Sequence, residues 1–134
     1  EGLPTDPEKG ACALARSYHW TIAPCGDVAL NKLGLTTQVP TVWSYVSDGP
    51  YRDFTWGNIQ LKFKHKANRE ISHLSPQTVL VIEAIRAYGK DRIDVDFIVQ
   101  LQKKLPRNDK EMILSEATEC SEWIYETIRK VCTT

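Results

Sequence analysis

The run Ile59–His65, IQLKFKH, alternates apolar and polar side chains without a break. Ile59, Leu61, Phe63 and His65 fall on one side of it, and Gln60, Lys62, Lys64 and then Lys66 on the other. A period of two belongs to an extended strand and cannot present one apolar face as a helix. A lone strand of this kind is unstable in water, so the chain must build a sheet around it. The stretch Asn31–His65 supplies the partners. Thr41–Val46 places Val42, Ser44 and Val46 on one face, with Trp43 and Tyr45 on the other. Asp48-Gly49-Pro50 is a turn signal. Tyr51–Trp56 forms a second run with Phe54 and Trp56 on one side, and Gly57-Asn58 marks a hairpin. The expected arrangement is a small antiparallel meander over residues 41–66, packed on one face.

Helical signals flank this sheet. Asp6-Pro7 reads as an N-cap followed by a first-turn proline, opening a helix to Tyr18. Trp20–Ala23 is a short extended run ended by Pro24. A second helix, Val28–Leu33, closes at Gly34 in the left-handed position. After the sheet, Ser75-Pro76 opens a helix to Tyr88 with Gly89 beyond it. A further helix follows Asp94, with Val95, Ile98 and Leu101 expected inward, and stops at Pro106. Asn108 with Glu111 resembles a capping box for the next helix, which runs to about Thr118. The last spans Ser121–Val131, with Trp123, Ile124, Ile128 and Val131 inward. The fold class is therefore α+β: two short N-terminal helices, the sheet, and about four C-terminal helices.

The chain has 134 residues, the size of one domain, with 17 basic and 17 acidic side chains that cancel. Net charge thus favours neither nucleic acid nor membrane, and no apolar run spans a bilayer. A cytoplasmic location with no membrane contact is expected. Cys12, Cys25, Cys120 and Cys132 are dispersed, without CxxC or zinc spacing, and read as reduced thiols. Met112 is the only methionine, and Glu1–Thr5 reads as a linker remnant. The chain is thus expected to be one domain cut from a longer protein.

Local features carry the functional reading. Lys62, Lys64 and Lys66 project from one face of one strand, about 7 Å apart. Arg52 on the preceding strand and Arg69 just beyond are expected to extend this positive ridge, which suits a phosphate backbone or an acidic protein surface. Thr36, Thr37 and Gln38 form a polar loop that either satisfies local backbone groups or meets a partner. Cys25 stands at a helix start, where the dipole would activate a thiol, but no histidine is placed as its base. His19, His65 and His73 are too dispersed for a metal, and Asp91, Asp94 and Asp96 lack the glycine and distal glutamate of a calcium loop. Asp94 reads as an N-cap. No catalytic residue, cofactor or metal is expected.

The run Leu33–Pro40, LGLTTQVP, with Tyr45–Pro50, YVSDGP, and Ile59–His65, resembles the AbiEi-like antitoxin family of type IV toxin–antitoxin systems. Val81–Asp94, VIEAIRAYGKDRID, and the Trp-containing last helix fit the same pattern. The resemblance implies a non-enzymatic antitoxin and transcriptional-regulator domain. It would counteract a nucleotidyltransferase-like AbiEii toxin, directly or functionally. Family members bind operator DNA through an N-terminal winged helix-turn-helix, which this chain lacks before Asp6, so the resemblance implies the C-terminal domain alone. Serine is commoner at the position of Cys25, which argues against thiol chemistry. The alternatives are a nucleic-acid-binding module using the basic sheet face, and an enzyme of unknown chemistry.

Overall fold

A computed structural model describes residues 6–66 and 73–133, with the side chain of Trp56 excepted. Six α-helices and four strands occur among the described residues. Helix α1, Pro7–Tyr18, is capped by Asp6, whose carboxylate accepts from the Glu8 amide at 2.9 Å. Strand β1, Ile22–Pro24, and helix α2, Gly26–Lys32, follow. Helix α2 ends in a Schellman motif: Gly34 has φ +73°, the Leu35 amide donates to Leu30 O, and the Gly34 amide donates to Asn31 O. Strands β2, Val42–Ser47, β3, Arg52–Trp56, and β4, Ile59–His65, come next. Helices α3, Pro76–Tyr88, α4, Val95–Lys104, α5, Arg107–Glu116, and α6, Glu122–Cys132, complete the chain.

The α+β class stands, but the meander does not. The sheet order is β1-β2-β4-β3, and β4 pairs parallel with β2. Only β1 with β2 and β3 with β4 are antiparallel. The physical reason lies in the side chains. Leu61 and Phe63 are fully buried, and a central strand can enclose them where an edge strand would not. Strand β3, carrying Arg52 and Asp53, takes the exposed edge instead. Of the extended run expected at Trp20–Ala23, only Ile22 and Ala23 join the sheet, in β1, with Pro24 as its last residue, tolerated at an edge.

The connection from β2 to β3 therefore crosses over the end of β4. Several contacts hold this crossing. Asp48 Oδ1 accepts from the Thr21 amide at 2.9 Å, the Lys66 amide donates to Ser47 O at 2.7 Å, and His65 Nδ1 lies 2.8 Å from Gly49 O. Gly49 has no alternative here, because a Cβ at this position would sit 2.2 Å from the Trp20 indole nitrogen.

Both sheet faces are covered in part, not one alone. On the first, Phe63 contacts the rings of Trp20, Tyr45 and Phe54 at 5.5, 6.0 and 5.8 Å. Ala11 and Leu14 of α1 and Val28 of α2 close that cluster. On the second, Val79 of α3 packs against Ala23, Cys25 and Val46. The larger core lies among the helices, where Ala29 and Leu30 of α2 and Leu33 just beyond it meet α3, Phe97, Leu101, Ile113, Ile124, Ile128 and Val131.

Two helical expectations change. Val95 is 76 % exposed, and Phe97 takes its inward place in α4. Asn108 does not cap α5, because that helix starts two residues earlier, behind Pro106. Asp94 does cap α4, accepting from the Phe97 amide at 2.9 Å.

Two substitutions test this packing. Gly49→Ala should destabilise the chain by about 1–3 kcal/mol through overpacking against Trp20. The Tyr45 hydroxyl is buried and finds no hydrogen-bonding partner among the described residues. Tyr45→Phe should therefore be neutral or stabilising by about 1 kcal/mol. Urea denaturation midpoints measure both.

Candidate interaction surface

The sheet register sorts the predicted basic residues into different environments. Lys62 and Lys64 do share the face opposite Leu61 and Phe63. Lys62 pairs with Asp53 of β3 on one side and Ser44 of β2 on the other, while Lys64 stands opposite Val46. Arg52 does not join them. It pairs with Phe63 and so belongs to the aromatic face. Its guanidinium lies 5.3 Å from the centre of the Tyr18 ring and 5.5 Å from that of Phe54. Trp43 and Tyr45 occupy the same aromatic face, so no ring on β2 flanks the lysines. Lys66 follows the strand, with Nζ 4.0 Å from Glu83 Oε2. Arg69 lies outside the described residues.

The Thr36–Gln38 loop is fastened to α2. Asn31 Nδ2 donates to Gln38 O at 2.9 Å, and the Gln38 amide donates to Thr36 Oγ1 at 3.2 Å. Thr36 thus does the local backbone work expected of it. Thr37 and the Gln38 side chain remain exposed. Thr36 and Gln38 also line a groove of about 400 Å³ whose far wall holds Tyr88 and Arg92. Arg92 lies over the Tyr88 ring at 4.5 Å, and Tyr88 stacks on Phe97 at 4.2 Å. Sequence reading missed Tyr88 and Arg92 as site residues. Their spacing of four hinted at a shared side, but Gly89 and a 3₁₀ turn at Lys90–Arg92 intervene.

A second groove, of about 560 Å³, opens where α3 meets the end of β4 and the chain between α5 and α6. Glu83 sits in its wall, 6 % exposed, with Arg86 Nε 3.7 Å from its carboxylate. Cys25 is buried behind this wall. Burial, reinforced by the Glu83 charge, pushes its thiol up to about 11. The helix start at α2 does not reverse that, so Cys25 is a protonated packing residue at neutral pH. Burial also raises the Cys120 and Cys132 thiols. All four cysteines are unpaired. His65 is spent on Gly49, and no group of three or more His, Cys, Asp or Glu among the described residues is placed to hold a metal.

A family of unknown function, DUF6088, matches residues 3–113. The chain belongs to this family. Comparison with curated proteins found no match, and neither did comparison with solved structures. The DUF6088 match spans the lysines of β4, the 36–38 loop and Arg92. It stops within α5, so the α6 side chains that complete the helical core lie beyond it. No described helix is long and apolar enough to cross a membrane.

One carboxylate in this DUF6088 chain is built for cohesion. Glu116, at the end of α5, accepts from the Ser75 amide at 3.0 Å, from Ser75 Oγ at 2.6 Å and from Thr78 Oγ1 at 2.6 Å. It thereby fastens the last turn of α5 to the first turn of α3. Burial works against its ionisation, but these hydrogen bonds prevail and hold its carboxyl below the usual glutamate range. Such a group stabilises the fold above the ordinary glutamate pKa, and its contribution is lost as pH falls through the depressed value. Glu116→Gln should cost about 1–2 kcal/mol at neutral pH, since water reaches the carboxyl and screens it. Thermal melts should show wild type losing stability below about pH 4 and the variant losing less over the same window.

Proposed function

We propose that this DUF6088 chain is a non-enzymatic domain of an AbiEi-like antitoxin, opposing a nucleotidyltransferase-like toxin through surface contact in the cytoplasm. The LGLTTQVP, YVSDGP and IQLKFKH runs supply the family expectation. The observation that carries the reading is the lysine side of the sheet. Helix α3 packs on Val46 and Ala23 of that side, while Lys64 on the neighbouring strand stays exposed. A rigid sheet with a buried aromatic back is a good platform for such a contact, because binding orders little backbone. The exposed Thr37 and Gln38 side chains offer a second, uncharged contact. In the antitoxin reading, operator DNA is met by a separate winged helix-turn-helix and not by this sheet.

A direct nucleic-acid role for the sheet is the second reading, favoured by the same two lysines. Three features weaken it. Asp53 stands beside Lys62, Arg52 lies on the other face, and the β2 aromatics that could stack with bases face away. Single-strand binders join basic and aromatic groups on one surface.

The test is co-expression of the full-length protein with its neighbouring toxin. Lys62→Glu with Lys64→Glu should weaken neutralisation by at least about tenfold, the equivalent of ~1.4 kcal/mol of contact energy. A folded double variant that protects cells like wild type would remove this surface from the reading. Binding of the purified chain to a single-stranded oligonucleotide, weakening steeply with added salt, would instead favour the second reading.

A further inference from the structure

The groove between α2, the 35–41 loop and the end of α3 is lined by two exposed charged side chains, Asp27 and Arg92, that make no hydrogen bond or ion pair with other described residues. Arg92 is held in place by its ring neighbour: its guanidinium lies 4.5 Å over Tyr88, which stacks at 4.2 Å on buried Phe97. No acceptor among the described residues takes its N–H groups. A guanidinium positioned in this way keeps its planar fork for an oxyanion and loses little freedom on binding one. Asp27, in the first turn of α2, lines the same groove and has no hydrogen-bonding or ionic partner among the described residues either.

The pair decides which ligand chemistry fits. A polyphosphate or a nucleic-acid backbone would set several negative charges against Asp27. A single carboxylate accompanied by an ammonium group satisfies both residues and adds no net charge to the site. Leu30, Leu35 and Pro40 form apolar lining, while Thr36 and Gln38 add hydrogen-bonding rim. A volume of about 400 Å³ lies within the span usual for small-molecule sites.

We propose that this groove binds a free α-amino acid, its carboxylate on the Arg92 fork, its ammonium on Asp27 and its side chain against the apolar lining. The site shares only Gln38 with the contact surface of the antitoxin reading: the lysines of β4 take no part in it, and it needs no toxin to be tested.

The experiment is a magnetic-resonance titration of the isotopically labelled chain with the proteinogenic amino acids added one at a time. At least one should give saturable shifts at Thr36, Gln38 and the Arg92 side chain, in the millimolar range. The amide of that amino acid, which keeps the ammonium and loses the carboxylate, should bind at least about tenfold more weakly. So should its N-acetyl derivative, which loses the ammonium. Arg92→Met should abolish the shifts and Asp27→Asn should weaken them, with circular dichroism confirming the fold. Should Arg92→Met fail to fold, Arg92→Lys, which keeps the charge but not the planar fork, should bind several-fold more weakly. Saturation by no amino acid would overturn the proposal. Equal binding of the amide, unchanged binding by either folded Arg92 variant, or tighter binding of inorganic phosphate would do so as well.

Discussion

The enclosure of α3 is the constraint on which the remaining structure depends. Every residue from Thr78 to Ile85 is buried, so this helix has no solvent face over two turns. A helix apolar on all sides must be covered on all sides. Val79 turns to the sheet, while Leu80, Val81, Ala84 and Ile85 enter the helical core with α2, α4, α5 and α6. Thr78, bonded to Glu116, and Glu83 are the polar members of this run, and Glu83 is its one charge. A buried carboxylate is tolerated only with charged or hydrogen-bonding partners, and Lys66 and Arg86 approach it at 4.0 and 3.7 Å. The third lysine of the strand series therefore joins sheet to helix, which separates it in role from Lys62 and Lys64.

Sheet order has a comparable effect on the surface. Placing β4 between β2 and β3 gathers Trp43, Tyr45, Phe54 and Phe63 on one face, where α1 and α2 cover them. The lysines are left on the other face without aromatic neighbours from β2. A meander with β3 in the middle would have put Arg52 and Asp53 at the centre of the sheet. The observed order keeps those charges at an edge, where water solvates them and where charge discourages pairing with another chain. The same order explains the crowding at the crossing, since a four-residue connection must pass the end of β4 beneath Trp20.

Local signals in the sequence were dependable where a single turn decides the outcome. Asp6 and Asp94 cap their helices, Pro7 and Pro76 occupy first turns, and Gly34 and Gly89 end helices. The alternation of β4 places Leu61 and Phe63 on its buried side, while Ile59 is half-buried and His65, at the end of the strand, is exposed. The helix after Asp94 shows the limit. Val95 and Phe97 both fit an apolar stripe when the helix start shifts slightly, and packing into the helical core, with Tyr88 stacked on the ring, selects Phe97. The candidate groove shows the same limit. Thr36 and Gln38 stand out as uncharged polar residues between apolar flanks, yet Arg92 comes to them from the 3₁₀ turn after α3, far along the chain.

By itself the sequence determined which segments are helix and which are strand, because period, caps and breakers act within a few residues. It also determined the separation of Lys62 and Lys64 from Leu61 and Phe63, since alternation in a strand is a local property. Only the tertiary structure decided that β4 runs parallel to β2, that Arg52 leaves the lysine face and that Cys25 is too buried to act as a thiolate. It alone decided that Arg92 and Asp27 line one groove. Each of these turns on which burial arrangement of the whole chain encloses the most apolar surface, and no short window of residues contains that comparison.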